Sequence, residues 1–352
     1  MSQVLEVALV GAGFGGRMHI QALQRNSRAR IAAIFDIDRS RSEALAAEFG
    51  VEQVPQSWSE VLDSRVDCVA IVVPPPLHER MSIEALSAGK HVVCEKPLAV
   101  DAQACSRIIA AAEHAGRRLF PVHNRVYMHS IETIGRIIQD GLIGQPYLVE
   151  SHGIEGSDLL NQIPWLRTDP LAGVLRSQAI HPAYVLRWLF GEVAQVNAVI
   201  ADRHVQGVSS DETALVTLRF TSGLLAHMTA TFGLGRGPSD HTFTVYGSQG
   251  YLHTTWRDRE SDDTERVLAV LKSSAGNDPE ELSLPDGLGQ VASLRSMWED
   301  YAKAIATGRS ARVVVEDAHA TIGLIEAAYL SANANGAPVV PELPSSSATS
   351  QY

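Results

Sequence analysis

Two groups of residues in the first hundred positions have the types and spacing to do chemistry. The first is Gly11-Ala12-Gly13-Phe14-Gly15-Gly16, between the apolar run Leu5 to Val10 and a helical stretch from Arg17 to Arg25. Glycines spaced G-x-G-x-x-G between a strand and a helix suit a dinucleotide. Gly11 allows the tight turn, Gly13 lets backbone approach a pyrophosphate, and Gly16 lets the helix pack closely on the strand. The start of the helix offers amide donors and the positive end of its dipole to the phosphates. A second strand, Arg30 to Phe35, ends at Asp36. An acid there accepts hydrogen bonds from the adenosine ribose hydroxyls and repels a 2′-phosphate, so NAD is expected over NADP. Arg39 and Arg41 lie just beyond and could still accommodate a phosphate, which leaves NADP open. The competing reading is a glycine turn that binds nothing.

The second group is HVVCEKPLA, His91 to Ala99. Val92, Val93 and Cys94 read as a buried strand, and Glu95, Lys96 and Pro97 stand where the chain leaves the sheet. In open parallel sheets ligands bind outside the carboxyl ends of the strands, so a lysine placed there is aimed at whatever the sheet binds. A solvated Lys-Pro turn is the alternative, since proline commonly punctuates strand ends. The strand Cys68 to Val73 runs into the stiff loop Pro74-Pro75-Pro76-Leu77-His78. His78 then reads either as a contact on the nicotinamide side of a cofactor or as a cap at the start of the helix to Ala88.

These elements alternate as an α/β fold with a parallel, doubly wound Rossmann sheet, completed by helices Ser40 to Gly50, Ser57 to Asp63 and Asp101 to Ala115 and a strand Leu119 to Val122. At 352 residues the chain exceeds the size of one ordinary core, so two domains are expected. We place a nucleotide-binding domain at 1–123, an α+β substrate-binding and oligomerisation domain at 124–340, and a disordered tail at 341–352. The formal net charge of −11 argues against nucleic acid, whose phosphates call for clustered Lys and Arg. No run approaches the roughly 18 apolar residues of a membrane span. The start, MSQVLEVALVGAG, lacks a basic n-region and does not read as a signal peptide. Cys68, Cys94 and Cys105 have no metal-ligand spacing and read as buried, reduced thiols of a cytoplasmic protein.

From Asn124 the pattern changes. Ser130 to Gln139 reads as an amphipathic helix and Pro146 to Gly153 as a strand, with His152 near its end and Glu155 and Asp158 close behind. A polar loop, Gly156 to Pro170, follows. DETALVTLRF and GLLAHMTATF alternate with period two on either side of Thr221-Ser222-Gly223, the pattern of an antiparallel hairpin. His241 to Tyr246, Gly250 to Thr255 and Glu265 to Leu271 extend it into a large, mainly antiparallel, open-faced sheet. Met297 to Ala306 and Glu316 to Asn335 read as helices. His181, judged by itself, reads as an early residue of a helical turn before Pro182.

GAGFGGRMH, VVPPPLH, AGKHVVCEKPLA and VHNRVY occur in that order, followed by Trp165-Leu166-Arg167 and GVLRSQAIHPAYVLRWLFG, Gly173 to Gly191. In these motifs the chain resembles the glucose–fructose oxidoreductase / inositol dehydrogenase / MocA family of NAD(P)-dependent oxidoreductases over roughly residues 5 to 340. The resemblance implies that Lys96 is the catalytic lysine and His181 the catalytic histidine. It implies cofactor contacts from Gly11, Gly13, Phe14, Gly15, Gly16, Asp36, Arg41, Pro74, His78, Glu95 and Lys96, and no metal. It implies a last helix that packs back on the nucleotide domain, and a homodimer or homotetramer formed through the open sheet face.

The family usually has an aspartate four residues before the histidine, where this chain has Ser177, with Gln178 beside it. The glycine run that opens the helix is thinned to Ala172-Gly173. Asn124, Arg125, Trp165 and Arg167 read as pocket residues or equally as domain-interface packing. Arg176 reads as a partner for an anionic substrate or as a surface residue, and His152 as a candidate to stand in for the missing acid. The implied activity is hydride transfer between a secondary hydroxyl of a sugar, sugar derivative or cyclitol and the nicotinamide. Lys96 would polarise the oxygen and His181 would act as general acid/base. The alternatives are a redox-assisted elimination or hydrolysis of a glycoside on the same fold, and a non-enzymatic NAD(H) sensor.

Overall fold

The computed structural model describes residues 4–201, 207–233, 235, 239–257, 264–271, 280–283 and 287–342. Residues 343–352, most of the tail expected to be disordered, lie outside the described residues. By internal contacts the chain forms two compact units. One comprises residues up to Asn124 together with Gln290–Ile322, and the other comprises Arg125–Gly289 with the segment from Gly323. The division therefore differs from a single cut at 123, because Gln290–Ile322 groups with the first unit.

The first unit holds a five-stranded parallel sheet: β1 Leu5–Val10, β2 Ala29–Phe35, β3 Cys68–Ile71, β4 His91–Cys94 and β5 Leu119–Pro121, in the order β2-β1-β3-β4-β5. β3 is buried at every position and β4 at all but its first. This is why these strands are continuous apolar runs, as in parallel sheets covered on both faces. The helices are α1 Phe14–Leu23, α2 Arg39–Phe49, α3 Trp58–Asp63, α4 His78–Ser87 and α5 Ala102–Ala115. Asp38, Ser57 and Asp101 cap α2, α3 and α5 by accepting the backbone N–H of Ser40, Glu60 and Ala104, which satisfies donors that a helix start leaves open. The strand order reverses between β1 and β3, and such a switch point is where open α/β sheets bind ligands.

The second unit is built on a nine-stranded mixed sheet. Its strands are β6 Pro146–Ile154, β7 Val193–Ala201, β8 Thr213–Phe220, β9 Leu225–Thr231, β10 Asp240–Gly247, β11 Gly250–Arg257, β12 Thr264–Leu271, β13 Glu280–Ser283 and β14 Gly287–Leu288. The order is β13-β12-β11-β10-β6-β9-β8-β7, with β14 on β12. Every pairing is antiparallel except β6 with β9. β8 alternates buried and exposed residue by residue, so one face is covered and the other open. Val199, Leu215 and Leu225 lie on the open face at 59%, 46% and 42% exposure.

The helices of the second unit are α6 His129–Gln139, α7 Ser157–Gln162, α8 Trp165–Thr168 and α9 Ile180–Phe190. The stretch expected to be a polar loop thus contains two short helices. α10 Gln290–Thr307 belongs to the first unit, and α11 Val315–Asn333 is divided between the units at Ile322. Among the described residues no helix is long and apolar enough to cross a membrane.

Candidate functional site

At the end of β1 the three glycines do three different things. Gly11 has φ +104°, and a Cβ there would collide with the carbonyl oxygen of Val72, just past β3. A Cβ at Gly16 would collide with the carbonyl oxygen of Gly11. A Cβ at Gly13 would meet nothing within 4 Å. Two glycines thus serve close packing, and the middle one faces open space. α1 starts at Phe14, three residues earlier than the sequence reading, and its cap, Gly13, offers no side-chain acceptor. An uncapped start of a ten-residue helix beside an open glycine fits the phosphates of a dinucleotide.

Asp36 lies at the same edge. Its Oδ2 accepts the Ala12 N–H at 2.7 Å and its Oδ1 the Asp38 N–H at 2.9 Å. Each oxygen keeps a second lone pair for ribose hydroxyls. Arg41 sits 3.3 Å from Asp38 and Arg39 bonds Glu43, so both guanidinium groups engage neighbours on the exposed surface of α2. Phe14 is 39% exposed, and Gly15 packs its backbone near Val72.

Lys96 follows β4 and is half-buried, and its peptide to Pro97 is cis. Its backbone N–H donates to Glu95 Oε2 at 3.0 Å. The other oxygen, Glu95 Oε1, lies 3.0 Å from His19 Nε2. Burial raises the pKa of Glu95, but the hydrogen bond from His19 leads the effects that outweigh it, and the carboxyl is held low. His78 is completely buried. Its Nδ1 is 2.8 Å from the Pro97 carbonyl and its Nε2 2.8 Å from the Val73 carbonyl, while burial pulls its pKa down. The ring joins the loop after β3, which includes the half-buried Pro74, to the loop that carries Lys96. Neither a helix cap nor an open cofactor contact describes it: the ring is completely buried and both of its nitrogens face backbone carbonyls.

His181 is the second residue of α9 and is half-buried. Pro182 lacks an N–H, and in a regular helix its ring would strike the carbonyl of Gln178. The chain accordingly widens into a π turn over Leu175–Ala179 immediately before, a local form frequent at functional sites. Ser177 lies in that turn, buried, and its hydroxyl donates to the Gly173 carbonyl at 2.9 Å. The hydroxyl that stands where the family's acid would be is spent on backbone. Gly173 has its own reason to remain glycine, since a Cβ there would strike the Asp211 carboxylate. That carboxylate accepts the Leu175 N–H at 2.9 Å and the Tyr329 hydroxyl at 2.7 Å. Arg176 lies over the Tyr329 ring, 4.7 Å from its centroid, as a stacked cation rather than a solvated one.

Within the second unit a cavity of about 60 Å³ is lined by Arg125, His152, Gln178, His241 and Thr242 among others. Of the pocket residues expected from sequence, Arg125 and His152 reach it. Arg176, Ser177, His181, Trp165 and Arg167 do not line it. Arg167 instead donates to Asn161 at 3.3 Å, and its carbonyl accepts from Ser209. Asn124 belongs to the first unit, where its buried side-chain amide donates to Ser293 of α10 at 2.9 Å. That is packing rather than an open pocket position.

The sequence reading missed the pair at the cavity's edge. Glu155 is 3% exposed, and its Oε1 lies 3.1 Å from His241 Nε2. Ser239 donates to its other oxygen. Burial alone would raise the pKa of Glu155. The His241 charge and hydrogen bond, Ser239 and the charge of Arg125 more than offset it and bring the carboxyl to about 2. His241 lies far along the chain from Glu155, on β10, and looks like an ordinary strand residue, so no spacing signals the pair. The three cysteines are free and buried, and burial pushes the Cys68 and Cys94 thiols up. Among the described residues there is no metal-binding cluster.

These features define a two-part protein with a dinucleotide-type switch point in one unit and a mixed sheet in the other. Residues 5–123 match a family described as "Oxidoreductase family, NAD-binding Rossmann fold", and residues 131–253 match the "GFO/IDH/MocA C-terminal domain". The chain belongs to the Gfo/Idh/MocA oxidoreductase family. It is 29% identical to inositol 2-dehydrogenase of Burkholderia cenocepacia, covering 92% of this chain and 97% of that one. It is 26% identical to D-apiose dehydrogenase of Paraburkholderia graminis, covering 92% and 87%. In fold it is similar to levoglucosan dehydrogenase solved with NADH and levoglucosan, at TM-score 0.83, 23% identity and 97% and 100% coverage.

The Glu155–His241 pair makes a prediction for stability. A folded-state pKa of about 2 lies below the unfolded value of ~4.3. The pair's contribution is therefore complete above the ordinary carboxylate range and is lost as pH falls through that window. Urea unfolding at descending pH should show this loss. Glu155→Ala should cost about 3–5 kcal/mol at neutral pH, the scale for breaking a buried pair, and should flatten the acid limb. A variant as stable as wild type, with an unchanged limb, would exclude the pair as a support of this unit.

Proposed function

We propose that the chain is a dehydrogenase that transfers a hydride between a secondary hydroxyl of a sugar, sugar derivative or cyclitol and a nicotinamide, with NAD preferred over NADP. One observation carries the reading: Lys96 leaves the carboxyl end of β4, in the same sheet whose β1/β3 switch point has the open Gly13, the uncapped start of α1 and the Asp36 carboxylate. Relatives named for inositol and D-apiose support a polyhydroxylated substrate.

The amides at the start of α1 would hold the phosphates of NAD, and Asp36 the adenosine ribose. When bound, NAD supplies the hydride acceptor. Lys96, as an ammonium, donates a hydrogen bond to the substrate oxygen and favours the negative charge that develops there. His181 takes the hydroxyl proton on a ring nitrogen and returns it in the reverse direction, work that suits a side chain whose ordinary pKa lies near neutrality. Ser177 contributes no charge, so in this reading Lys96 does more of the orienting of the substrate oxygen. The open sheet face, with Val199, Leu215 and Leu225 exposed, would be where copies of the chain meet. Sedimentation velocity showing only monomer at working concentrations would contradict that part.

Lys96→Ala and His181→Ala should each lower kcat by at least ~100-fold, the scale of a lost acid–base group, with NADH binding retained. Near-normal turnover in either variant would falsify the mechanism. In the same assay Asp36→Ala should shift preference from NAD toward NADP, and an unchanged ratio would remove Asp36 from the ribose site.

A further inference from the structure

The helix that follows the glycine turn carries a histidine to which the reading above gives no role. His19 of α1 is fully buried, with Trp298 of α10, also fully buried, edge-on to its ring. The Trp298 Nε1–H donates to His19 Nδ1 at 3.0 Å, and His19 Nε2 lies 3.0 Å from Glu95 Oε1. All four residues of this chain of contacts, Trp298, His19, Glu95 and Lys96, belong to the first unit.

An indole nitrogen only donates. The His19 Nδ1 that receives its proton must therefore present a lone pair. The one ring proton is then on Nε2, where it faces a carboxylate oxygen. In this geometry a second proton would set Nδ1–H against the indole N–H. We infer that His19 is a positioning residue for Lys96. Trp298 locks His19 as the neutral Nε2–H tautomer, so that it orients the Glu95 carboxylate, whose other oxygen holds the backbone N–H of Lys96. The inference rests on the reading of Lys96 as the catalytic group.

The lock matters because the alternative is a different charge arrangement. An imidazolium at His19 would neutralise Glu95 as an ion pair. A neutral His19 orients the carboxylate and leaves its charge uncancelled beside Lys96. The charged and titratable groups near Glu95 are Cys94 and Lys96 on either side of it, His19 on α1, and His78 at the start of α4. Of these, His19 alone has its protonation pattern dictated by a donor that cannot reverse.

The test has two independent readouts. Nitrogen-15 NMR of His19 in the intact protein at neutral pH should show the Nε2–H tautomer. A doubly protonated ring, or an Nδ1–H tautomer, overturns the inference whatever the enzyme does. Kinetics supply the second. Gln can accept from Trp298 through its oxygen and donate to Glu95 through its nitrogen, so His19→Gln should retain kcat within a few-fold. His19→Leu, which can do neither, should lose about 10- to 100-fold in kcat, the scale of a displaced catalytic group, with little change in KM.

Trp298→Phe keeps the ring packing but removes the donor. It should free Nδ1 to take the ring proton, giving a mixture of tautomers by NMR and a lower kcat. Equal kcat in His19→Gln and His19→Leu, or a Trp298→Phe enzyme with wild-type kcat and an unchanged tautomer, overturns the positioning role. If instead Lys96→Ala is fully active, the catalytic reading fails while the NMR result still decides the tautomer.

Discussion

The first unit depends on one close approach of backbone to backbone. With no side chain at Gly11, the turn after β1 lies against the Val72 carbonyl at the end of β3, and with none at Gly16, α1 lies against the turn itself. A Cβ at Gly11 would push the turn away from the end of β3, and one at Gly16 would push α1 away from the turn. Three consequences follow from that contact. The Ala12 amide falls within reach of the Asp36 carboxylate. The start of α1 opens onto the switch point of the sheet. His19, one turn further along α1, falls beside the loop that carries Lys96. A constraint on two missing methyl groups thus reaches the residue proposed to do the chemistry.

Much of this was legible in sequence, for physical reasons. β1, β3 and β4 are apolar runs because both faces of a parallel sheet are covered. β8 and β9 alternate because one face of the second sheet is open. Gly50 and Gly116 mark helix ends because the chain there turns left-handed, at φ +70° and +58°. Asp36 could be placed by counting from Gly16. These signals are local, or repeat with the period of one element.

What sequence could not show depends on contacts between distant residues. Glu155 meets His241, and His19 meets Trp298, through folding alone, and nothing in the intervening chain marks either pair. His78 could be read as a cap or a cofactor contact because both put a histidine at a helix start. That its ring bridges two loops depends on where Pro97 lies. Ser177 occupies the expected position but its hydroxyl turns back to Gly173, the carbonyl four residues earlier that a serine in helical backbone can reach. α10 groups with the nucleotide-binding unit because Trp298 and Tyr301 bury themselves there, the latter donating to the Pro121 carbonyl at 2.6 Å.

The two units treat their histidine-bonded acids differently. Glu155 is paired with a histidine and a hydroxyl, and Glu95 is oriented by a histidine that stays neutral. The first arrangement stabilises a wall, and the second leaves charge available next to Lys96. The account stands or falls on whether hydride leaves a substrate hydroxyl for the nicotinamide and stays there. Absorbance at the NADH band, with NAD and a panel of sugars, inositols and glycosides, measures this directly. The account predicts NADH accumulating in equal amount to the alcohol oxidised. Product release without net NADH, or no turnover by protein that still binds NADH, would contradict it.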